Sequence, residues 1–193
     1  TKVMGSHFGI FTFHDDRNPK IRAERLSQNI ECWHEVADYA STLGIEKIIW
    51  EPMSISREQG ETIKKCRELQ NKVNANAPLP FEVCLDVDHG DVCSGDPSDT
   101  DPYEWIKEFS KESPVIHLKQ SSSNKSGHWP FTKEYNKDGR INGRTFVEAL
   151  EKLGIKDCDL VLELSFRERE PTDSTVEDVL MQSVQYWREY VKC

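Results

Sequence analysis

Residues 47–53 read KIIWEPM, a short apolar run that ends in an acid and a proline. Similar runs recur at 81–87 (FEVCLDV), 114–118 (PVIHL) and 159–166 (DLVLELSF), and an aromatic run, HFGIFTFH, occupies 7–14. All are too short for a typical helix, and their apolar residues are largely continuous, as in strands covered on both faces. The sequence therefore predicts five buried strands.

Apolar residues at helical spacing fill the segments between these runs. Five helices are predicted: 21–43, 57–73, one that opens at Pro102, 146–153 and 176–190. Strict alternation of strands and helices predicts parallel strands with crossover helices, and hence an α/β fold that is either doubly wound or a barrel. Because no G-x-G-x-x-G or G-x-x-x-x-G-K motif follows a predicted strand, a barrel is favoured over the nucleotide-binding folds.

The overall composition is that of a globular protein and limits the partners that we expect. The chain has 193 residues, of which 36% are hydrophobic and 31% are charged, so one domain is expected. A net charge of −9 and the lack of a basic patch disfavour nucleic acid as a partner. Without an apolar run of about 18 residues or a signal peptide, we expect no membrane span and a cytoplasmic location. The six cysteines form no C-x-x-C pair, and homo-oligomerisation is left open.

Four of the predicted strands carry a possible metal ligand at or near their ends. These residues are Glu51, Asp86, His117 and Glu163. In a parallel α/β barrel all strand C-termini meet on one face, so residues that are distant in sequence converge there. Their spacing follows the strand and helix alternation, apart from a long polar stretch at 119–143 that we interpret as a loop.

A single acid at a strand end can equally cap a helix or form a salt bridge. Three buried carboxylates at one barrel mouth, however, are costly unless a cation neutralises them. The sequence therefore predicts a divalent-metal site. Three carboxylates and one imidazole suit Mn²⁺, Mg²⁺ or Co²⁺, and Zn²⁺ is left open.

Four motifs around these residues resemble the ketose 3-epimerase group of the xylose isomerase-like TIM barrels: WEPMSISRE (50–58), LDVDH (85–89), VIHLK (115–119) and LELSF (162–166). Longer stretches are similar to the tetrulose-phosphate (erythrulose 1-phosphate) epimerases and isomerases of bacterial erythritol and threitol catabolism: HFGIFTFHDDRNP, EPMSISRE, HWPFTKEYN and ELSFRERE. The resemblance covers essentially the whole chain. It implies a metal-dependent enzyme that acts on a sugar or a sugar phosphate.

The resemblance also implies a role for each ligand. Glu51 and Glu163 would bind the metal and form the acid/base pair, one on each face of a cis-enediolate, whereas Asp86 and His117 would only hold the metal. Return of the proton to the opposite face gives epimerisation, and return to the neighbouring carbon gives aldose-ketose isomerisation. His89, in the Asp-x-x-His motif, would bond a substrate oxygen, with helix capping as the alternative.

The sequence departs from the family pattern where many members carry an arginine six residues beyond the metal histidine, because that position here is Ser123. Lys119, Gln120 or Lys125 would supply the missing donor.

Further substrate contacts are expected in the loops. Arg167, together with Arg169 and the two lysines, lies just past a predicted strand end, where a phosphate would need cations. His14 would close the first strand and line the pocket, with a turn-capping role as the alternative. His128 and Trp129 would form a lid that excludes water from the enediolate.

A complete (β/α)₈ TIM barrel needs eight strands and about 250 residues, whereas five strands are predicted here. We interpret residues 1–193 as a single domain that holds the C-terminal five β/α units of such a barrel, with an open half barrel as the alternative.

Four other functions are weighed. A polyol dehydratase and an aldose-ketose isomerase of a simple aldose are harder to exclude by sequence. A metal-dependent endonuclease is disfavoured by the acidic charge and the scattered histidines. A non-catalytic sugar-binding relative would be expected to lack one of the two glutamates.

Overall fold

The computed structural model describes residues 1–122, 125–166 and 174–191. The chain falls into two compact units, Thr1–Pro114 and Val115–Cys193. Among the described residues, no helix is both long enough and apolar enough to cross a membrane. The cytoplasmic location expected from the sequence stays a prediction.

The first unit contains three parallel strands in the order β1-β2-β3, joined by helices. Its elements are β1 (Val3–His7), α1 (Phe13–Arg17), α2 (Pro19–Thr42), β2 (Lys47–Glu51), α3 (Ile63–Asn74), β3 (Phe81–Asp86) and α4 (Pro102–Phe109). Single 3₁₀ turns lie at Ser56–Glu58, Pro97–Thr100 and Ser110–Glu112. The helical crossovers between parallel strands are those predicted from the alternating pattern.

The core of this unit surrounds the central strand β2. Ile48 and Trp50 are wholly buried there, and the Phe8 ring meets Trp50 edge to face at 5.5 Å. The Trp50 indole N–H donates to Gln70 Oε1 at 2.7 Å, so the polar atom of this buried ring is paired. The centre of the sheet is thus fixed by apolar packing and by one buried hydrogen bond.

Local signals set the bounds of the long helix α2. The Asn18 side chain accepts hydrogen bonds from the backbone N–H groups of Lys20 and Ile21, and Pro19 takes the first helical position. The helix ends at Thr42, and Gly44 follows with φ +81°, a conformation that favours glycine. The predicted helix at 21–43 is confirmed.

The described residues of the second unit form a parallel strand pair, an antiparallel hairpin and three helices. Its elements are β4 (Val115–Leu118), β5 (Gln120–Ser122), β6 (Lys125–Trp129), α5 (Lys133–Asn136), α6 (Gly143–Lys152), β7 (Asp159–Leu162) and α7 (Val176–Arg188). Strand β4 pairs with β7, and β5 pairs with β6. The Trp187 ring meets Phe131 and Phe146 edge to face at 5.0 and 5.6 Å and forms an aromatic core with them.

The prediction of a first strand at 7–14 is wrong, because the strand is Val3–His7 and residues 13–17 are helical. Phe8 and Phe11 are 1% and 6% exposed, so the apolar run is buried, but it packs as an irregular segment. Three of the five residues of the strand are exposed, and its pairing with β2 defines it. The apolar residues of this segment therefore predicted which residues are buried but not where the strand lies.

Two further predictions are corrected. The stretch 119–143 is not simply a loop, since it holds the hairpin β5–β6 and the short helix α5. The polar sequence hides this hairpin, which is held by backbone pairing between Gln120 and Trp129. The helix expected at 57–73 is interrupted, because Gln59 and Gly60 both have positive φ, 73° and 79°, and α3 starts only at Ile63.

Gly5 allows strands β1 and β2 to approach closely. A methyl group at this position would lie 2.5 Å from the Ile49 carbonyl oxygen and closer still to the Ile49 side chain. We expect Gly5→Ala to lower the free energy of unfolding by about 1–3 kcal/mol, as for other overpacked sites. Urea denaturation measures this change.

Gly95→Ala is the matched control, because an added methyl group there meets nothing within 4 Å. Its effect should stay within about 0.5 kcal/mol. Equal stability of the two variants would contradict the close approach at Gly5.

Candidate functional site

The three strands of the first unit end in polar side chains at one edge of the sheet. His7 is the last residue of β1, Glu51 of β2 and Asp86 of β3, and His7 pairs in register with Glu51. Glu51 is 8% exposed and Asp86 is 2% exposed. One carboxylate oxygen of Glu51 and one of Asp86 lie within 4.8 Å of each other. The first unit therefore brings two of the predicted ligands together in a buried position.

Two histidines flank Glu51. The His89 Nδ1 atom lies 3.4 Å from Glu51 Oε1, and the His7 Nε2 atom lies 3.8 Å from Glu51 Oε2. His89 Nδ1 is also 2.8 Å from the Pro52 carbonyl oxygen. Because a carbonyl oxygen only accepts, Nδ1 carries the proton, and Nε2 is the acceptor atom of the neutral ring. The structure thus places the predicted His89 beside Glu51, and its contact with substrate stays a prediction.

A tight turn after β3 positions His89. Asp86 Oδ1 accepts a hydrogen bond of 2.7 Å from the Asp88 backbone N–H, as in an Asx-turn. This bond orients the Asp86 carboxylate and turns the chain directly before His89. The Asp-x-x-His motif therefore has a structural basis. Asp86 ends the strand, and its side chain stabilises the turn that leads to His89.

In the second unit, Glu163 lies one residue beyond β7, and its backbone N–H donates to the Leu118 carbonyl at 3.0 Å. The His117 Nδ1 atom lies 3.8 Å from Glu163 Oε2. The ammonium group of Lys119 is 3.2 Å from the same oxygen, and His128 Nδ1 is 3.7 Å from it. One carboxylate oxygen therefore faces two imidazoles and one ammonium group.

Lys119 is 1% exposed. Lysine side chains are almost never fully buried unless they have an ionic partner. Its position explains the burial, since Glu163 supplies the opposite charge. The contact between Lys119 and a substrate phosphate stays a prediction. In the structure, the ammonium group of Lys119 bonds Glu163. Within its own unit, Lys119 orients the carboxylate and balances its charge.

Two neighbours of the glutamates were not recognised as such in the sequence. His7 was assigned to the start of a strand, whereas it ends one and so reaches Glu51. His128 was expected in a lid, and the structure places it 3.3 Å from the Glu163 carbonyl oxygen through Nδ1. Nothing in the sequence around His128 signals this contact, because the hairpin that carries it follows a polar pattern.

Other predicted substrate contacts are not placed as expected. His14 is exposed on α1 and does not close a strand. The amide nitrogen of Gln120 donates at 2.9 Å to both Asn136 Oδ1 and the Ile141 carbonyl, so both amide hydrogens are used within the fold. Arg167, like Ser123 and Arg169, lies outside the described residues, and so does the Lys125 side chain.

An ionic cluster fixes the segment that follows Glu51. Asp16 accepts from Arg22 Nε at 3.1 Å and from the Ser56 hydroxyl at 2.7 Å, and Arg22 also donates to the Ser56 carbonyl at 3.0 Å. Burial raises the pKa of Asp16, but the hydrogen bonds from Ser56 and Arg22 and the nearby positive charges outweigh it and lower that pKa below its usual value. The cluster ties α1 and α2 to the turn at Ser56–Glu58.

The lowered pKa of Asp16 predicts a pH-dependent contribution to stability. Since the folded pKa lies below the unfolded one, the stabilisation is complete above the unfolded pKa and is lost as the pH falls through the folded pKa. We expect Asp16→Asn to cost about 1–2 kcal/mol at neutral pH and less in acid. Urea denaturation across the acid range measures this difference.

Asp157→Asn, at an exposed position, should show no such loss. A penalty for Asp16→Asn that does not change with pH would contradict the ionic role of this carboxylate.

Comparisons with known proteins place the chain in a family. The family model for the xylose isomerase-like TIM barrel matches residues 2–190. A D-erythrulose 1-phosphate 3-epimerase of Brucella abortus (strain 2308) is 44% identical over 191 residues, which are 98% of this chain and 62% of that protein. The chain therefore spans less than two thirds of the length of this relative.

Solved structures have the same fold. A xylose isomerase-type protein of Rhodospirillum rubrum superposes with a TM-score of 0.82 at 18% identity, over 98% of this chain and 62% of that one. A D-psicose 3-epimerase of Clostridium cellulolyticum H10, solved with D-tagatose, gives a TM-score of 0.60 at 14% identity, over 99% of this chain and 65% of that one. These likenesses confirm the TIM-barrel-type α/β fold expected from the alternating strands and helices. The chain belongs to the xylose isomerase-like TIM barrel family.

Proposed function

We propose that the complete protein is a metal-dependent 3-epimerase of a tetrulose phosphate, with D-erythrulose 1-phosphate as the candidate substrate. One observation carries the proposal: a chain 44% identical to a D-erythrulose 1-phosphate 3-epimerase has a buried carboxylate pair and a histidine–glutamate pair at its strand ends. The first pair is Glu51 with Asp86, and the second is His117 with Glu163. We further propose that residues 1–193 are the C-terminal five β/α units of an eight-unit barrel. They would form a single domain together with the remaining units.

The proposed metal site consists of these four residues, each of which offers a carboxylate oxygen or an imidazole nitrogen. Their chemistry fits a divalent cation, because two carboxylates buried side by side are costly without a positive charge near them. Oxygen-rich sets with one imidazole suit Mn²⁺, Mg²⁺ or Co²⁺, and Zn²⁺ also accepts such ligands. When bound, the metal would polarise the substrate carbonyl and stabilise the enediolate oxygen.

The two glutamates are proposed to move the proton. One carboxylate would remove the proton from C3 of the ketose, and the other would return a proton to the opposite face. Glu51 lies beside His89 and His7, and Glu163 accepts from Lys119 and lies beside His128. Each carboxylate thus has ionisable neighbours within its own unit, which supports the assignment of both as acid/base groups.

His89 is proposed to bind a substrate hydroxyl or carbonyl oxygen. Its Nδ1 proton is directed to the Pro52 carbonyl, and this bond fixes the ring plane. The remaining nitrogen, Nε2, accepts from a hydroxyl group when the ring is neutral and donates when it is protonated.

The test is solvent exchange in the metal-loaded complete protein. In D₂O, D-erythrulose 1-phosphate should gain deuterium at C3, proton NMR should show the loss of the C3–H signal, and polarimetry should show the loss of optical rotation as the C3 enantiomer forms. Deuterium at a different carbon, or no exchange with any phosphorylated or free tetrulose, pentulose or hexulose, would overturn the proposed 3-epimerase activity.

A further inference from the structure

The segment that carries His89 is joined at three points to the segment that follows Glu51. The three hydrogen bonds, with the donor first, are His89 Nδ1 to the Pro52 carbonyl oxygen at 2.8 Å, the Asp91 backbone N–H to the Glu61 carbonyl oxygen at 2.7 Å, and the Ile63 backbone N–H to Asp99 Oδ1 at 2.8 Å. All three connect the same two stretches of chain, 52–63 and 89–99. The position of one stretch therefore fixes the position of the other.

Asp99 is a buried carboxylate in the 3₁₀ turn before α4. It is 7% exposed, and its Oδ2 atom accepts from the Ser94 hydroxyl at 2.6 Å while its Oδ1 atom accepts from Ile63. Hydrogen bonds to both oxygens offset the cost of burying the group. Helix α3 already has a cap of its own, because the Thr62 side chain accepts from the Lys65 backbone N–H. The bond from Ile63 to Asp99 thus joins two segments that are 36 residues apart, in addition to helping the helix to start.

Gly90 is the contact between Asp99 and His89. It is buried with φ +135°, a conformation that side chains rarely adopt, and an added methyl group would overlap the Asp99 carbonyl oxygen. That carbonyl oxygen is fixed in turn, since it accepts from the Trp105 indole N–H at 2.9 Å. Because Gly90 directly follows His89 in the chain, a shift of the Asp99 backbone displaces the imidazole.

We propose that Asp99 is a positioning residue that holds the His89 imidazole beside Glu51, through the close packing of Gly90 on the Asp99 backbone. The benefit for catalysis rests on the proposed function, in which His89 binds a substrate oxygen. The hydrogen bond from His89 to the Pro52 carbonyl does not depend on that function. It gives a readout of the position of His89 that needs neither metal nor substrate.

The first test is the tautomer of His89 in the metal-free, ¹⁵N-labelled complete protein. It is measured at mildly alkaline pH from NMR correlations between the ring nitrogens and the carbon-bound ring protons, and His89→Gln identifies the signals. A neutral imidazole whose Nδ1–H bonds a carbonyl oxygen is held in the Nδ1–H form, whereas a released ring populates both forms. We expect the Nδ1–H form in the unmodified protein and a mixture of both forms in Asp99→Ala.

Two variants separate the positioning role from a general loss of stability. Asp101→Ala is the matched control, because it also removes a carboxylate that accepts from a backbone N–H at the start of a helix, that of Tyr103 at 2.8 Å. It should lower the melting temperature but keep the Nδ1–H form of the imidazole. Asp99→Asn is the rescue variant, since its amide keeps an acceptor for Ile63 and can donate to the Ser94 hydroxyl oxygen. It should also keep the Nδ1–H form.

Gly90→Ala disturbs the same contact without changing a hydrogen-bonding side chain, and so it tests the proposal even if Asp99→Ala does not fold. It should release His89 into both tautomers. Gly95→Ala lies in the same loop, where an added methyl group meets nothing within 4 Å, and it should keep the Nδ1–H form.

The second test is deuterium exchange at C3 of D-erythrulose 1-phosphate in the Mn²⁺-loaded complete protein. Asp99→Ala should lower kcat/KM by about 10–100-fold, because a misplacement of about 1 Å can cost 10²-fold in rate, and it should leave the affinity for Mn²⁺ unchanged.

The proposal is overturned if Asp99→Ala and Gly90→Ala keep the Nδ1–H form, if Asp101→Ala loses it as well, if the unmodified protein shows a mixture, or if Asp99→Ala keeps the full kcat/KM. Absence of C3 exchange in the unmodified protein would contradict the proposed function instead, and the tautomer of His89 would then decide the role of Asp99 alone.

Discussion

Glu163→Gln in the metal-loaded complete protein should slow deuterium exchange at C3 of D-erythrulose 1-phosphate by about 10²–10⁴-fold, the usual contribution of a general acid or base. Glutamine keeps the size of the side chain but cannot take up a proton at neutral pH. Its amide would also turn an N–H group or a weaker acceptor toward Lys119, which lies 3.2 Å from Glu163 Oε2. The variant therefore loses both the proton acceptor and the ionic partner of a buried lysine.

The exchange rate is followed by proton NMR at saturating Mn²⁺, so that weaker metal binding alone does not explain the loss. Glu151→Gln, at an exposed position of α6, is the matched control and should exchange at the rate of the unmodified protein. If Glu163→Gln retained the full exchange rate, Glu163 would not be one of the two proton-transfer groups.

Asp86→Asn should weaken Mn²⁺ binding by more than about 100-fold, since loss of even an outer-shell partner of a metal site commonly costs 10–100-fold. Asp86 is 2% exposed, and one of its oxygens lies within 4.8 Å of a Glu51 oxygen, so its charge acts in a buried setting. Asparagine keeps the acceptor for the Asp88 N–H, and the turn before His89 should survive. The change therefore isolates the charge of the ligand.

Calorimetric titration with Mn²⁺ measures the affinity directly, without any substrate. Mn²⁺ should also raise the melting temperature of the unmodified protein, and this rise should vanish in Asp86→Asn. Asp96→Asn, on an exposed turn of the same unit, is the control and should bind Mn²⁺ normally. Normal affinity in Asp86→Asn would remove this residue from the metal site.

The longer helices and four of the strands were predictable because their signals are local. Strands β2, β3, β4 and β7 are short apolar runs, and α2 has an Asn18 cap at one end and Gly44 beyond the other. Strand β1 lacks such a signal, since three of its five residues, VMGSH, are exposed and only two are apolar. Its identity depends on backbone pairing with β2, which is a contact between segments more than forty residues apart.

The site was predictable to a similar extent. An acid or a histidine near the end of an apolar run is visible in the sequence, and this signal singled out Glu51, Asp86, His117 and Glu163. The orientation of the carboxylates was not visible. His7 reaches Glu51 only because β1 ends where β2 ends, and His128 reaches Glu163 only because a polar hairpin folds back beside it.

The sequence by itself determined the alternation of strands and helices and the four candidate ligands, because these depend on residue type and spacing along the chain. Only the tertiary structure decided which side chains surround each carboxylate. Lys119 is the clearest case, since a lysine in a polar stretch predicts a solvated side chain or a phosphate contact. It is buried against Glu163 instead, because the parallel pairing of β4 with β7 brings the two strand ends together and the opposite charge offsets the cost of leaving water.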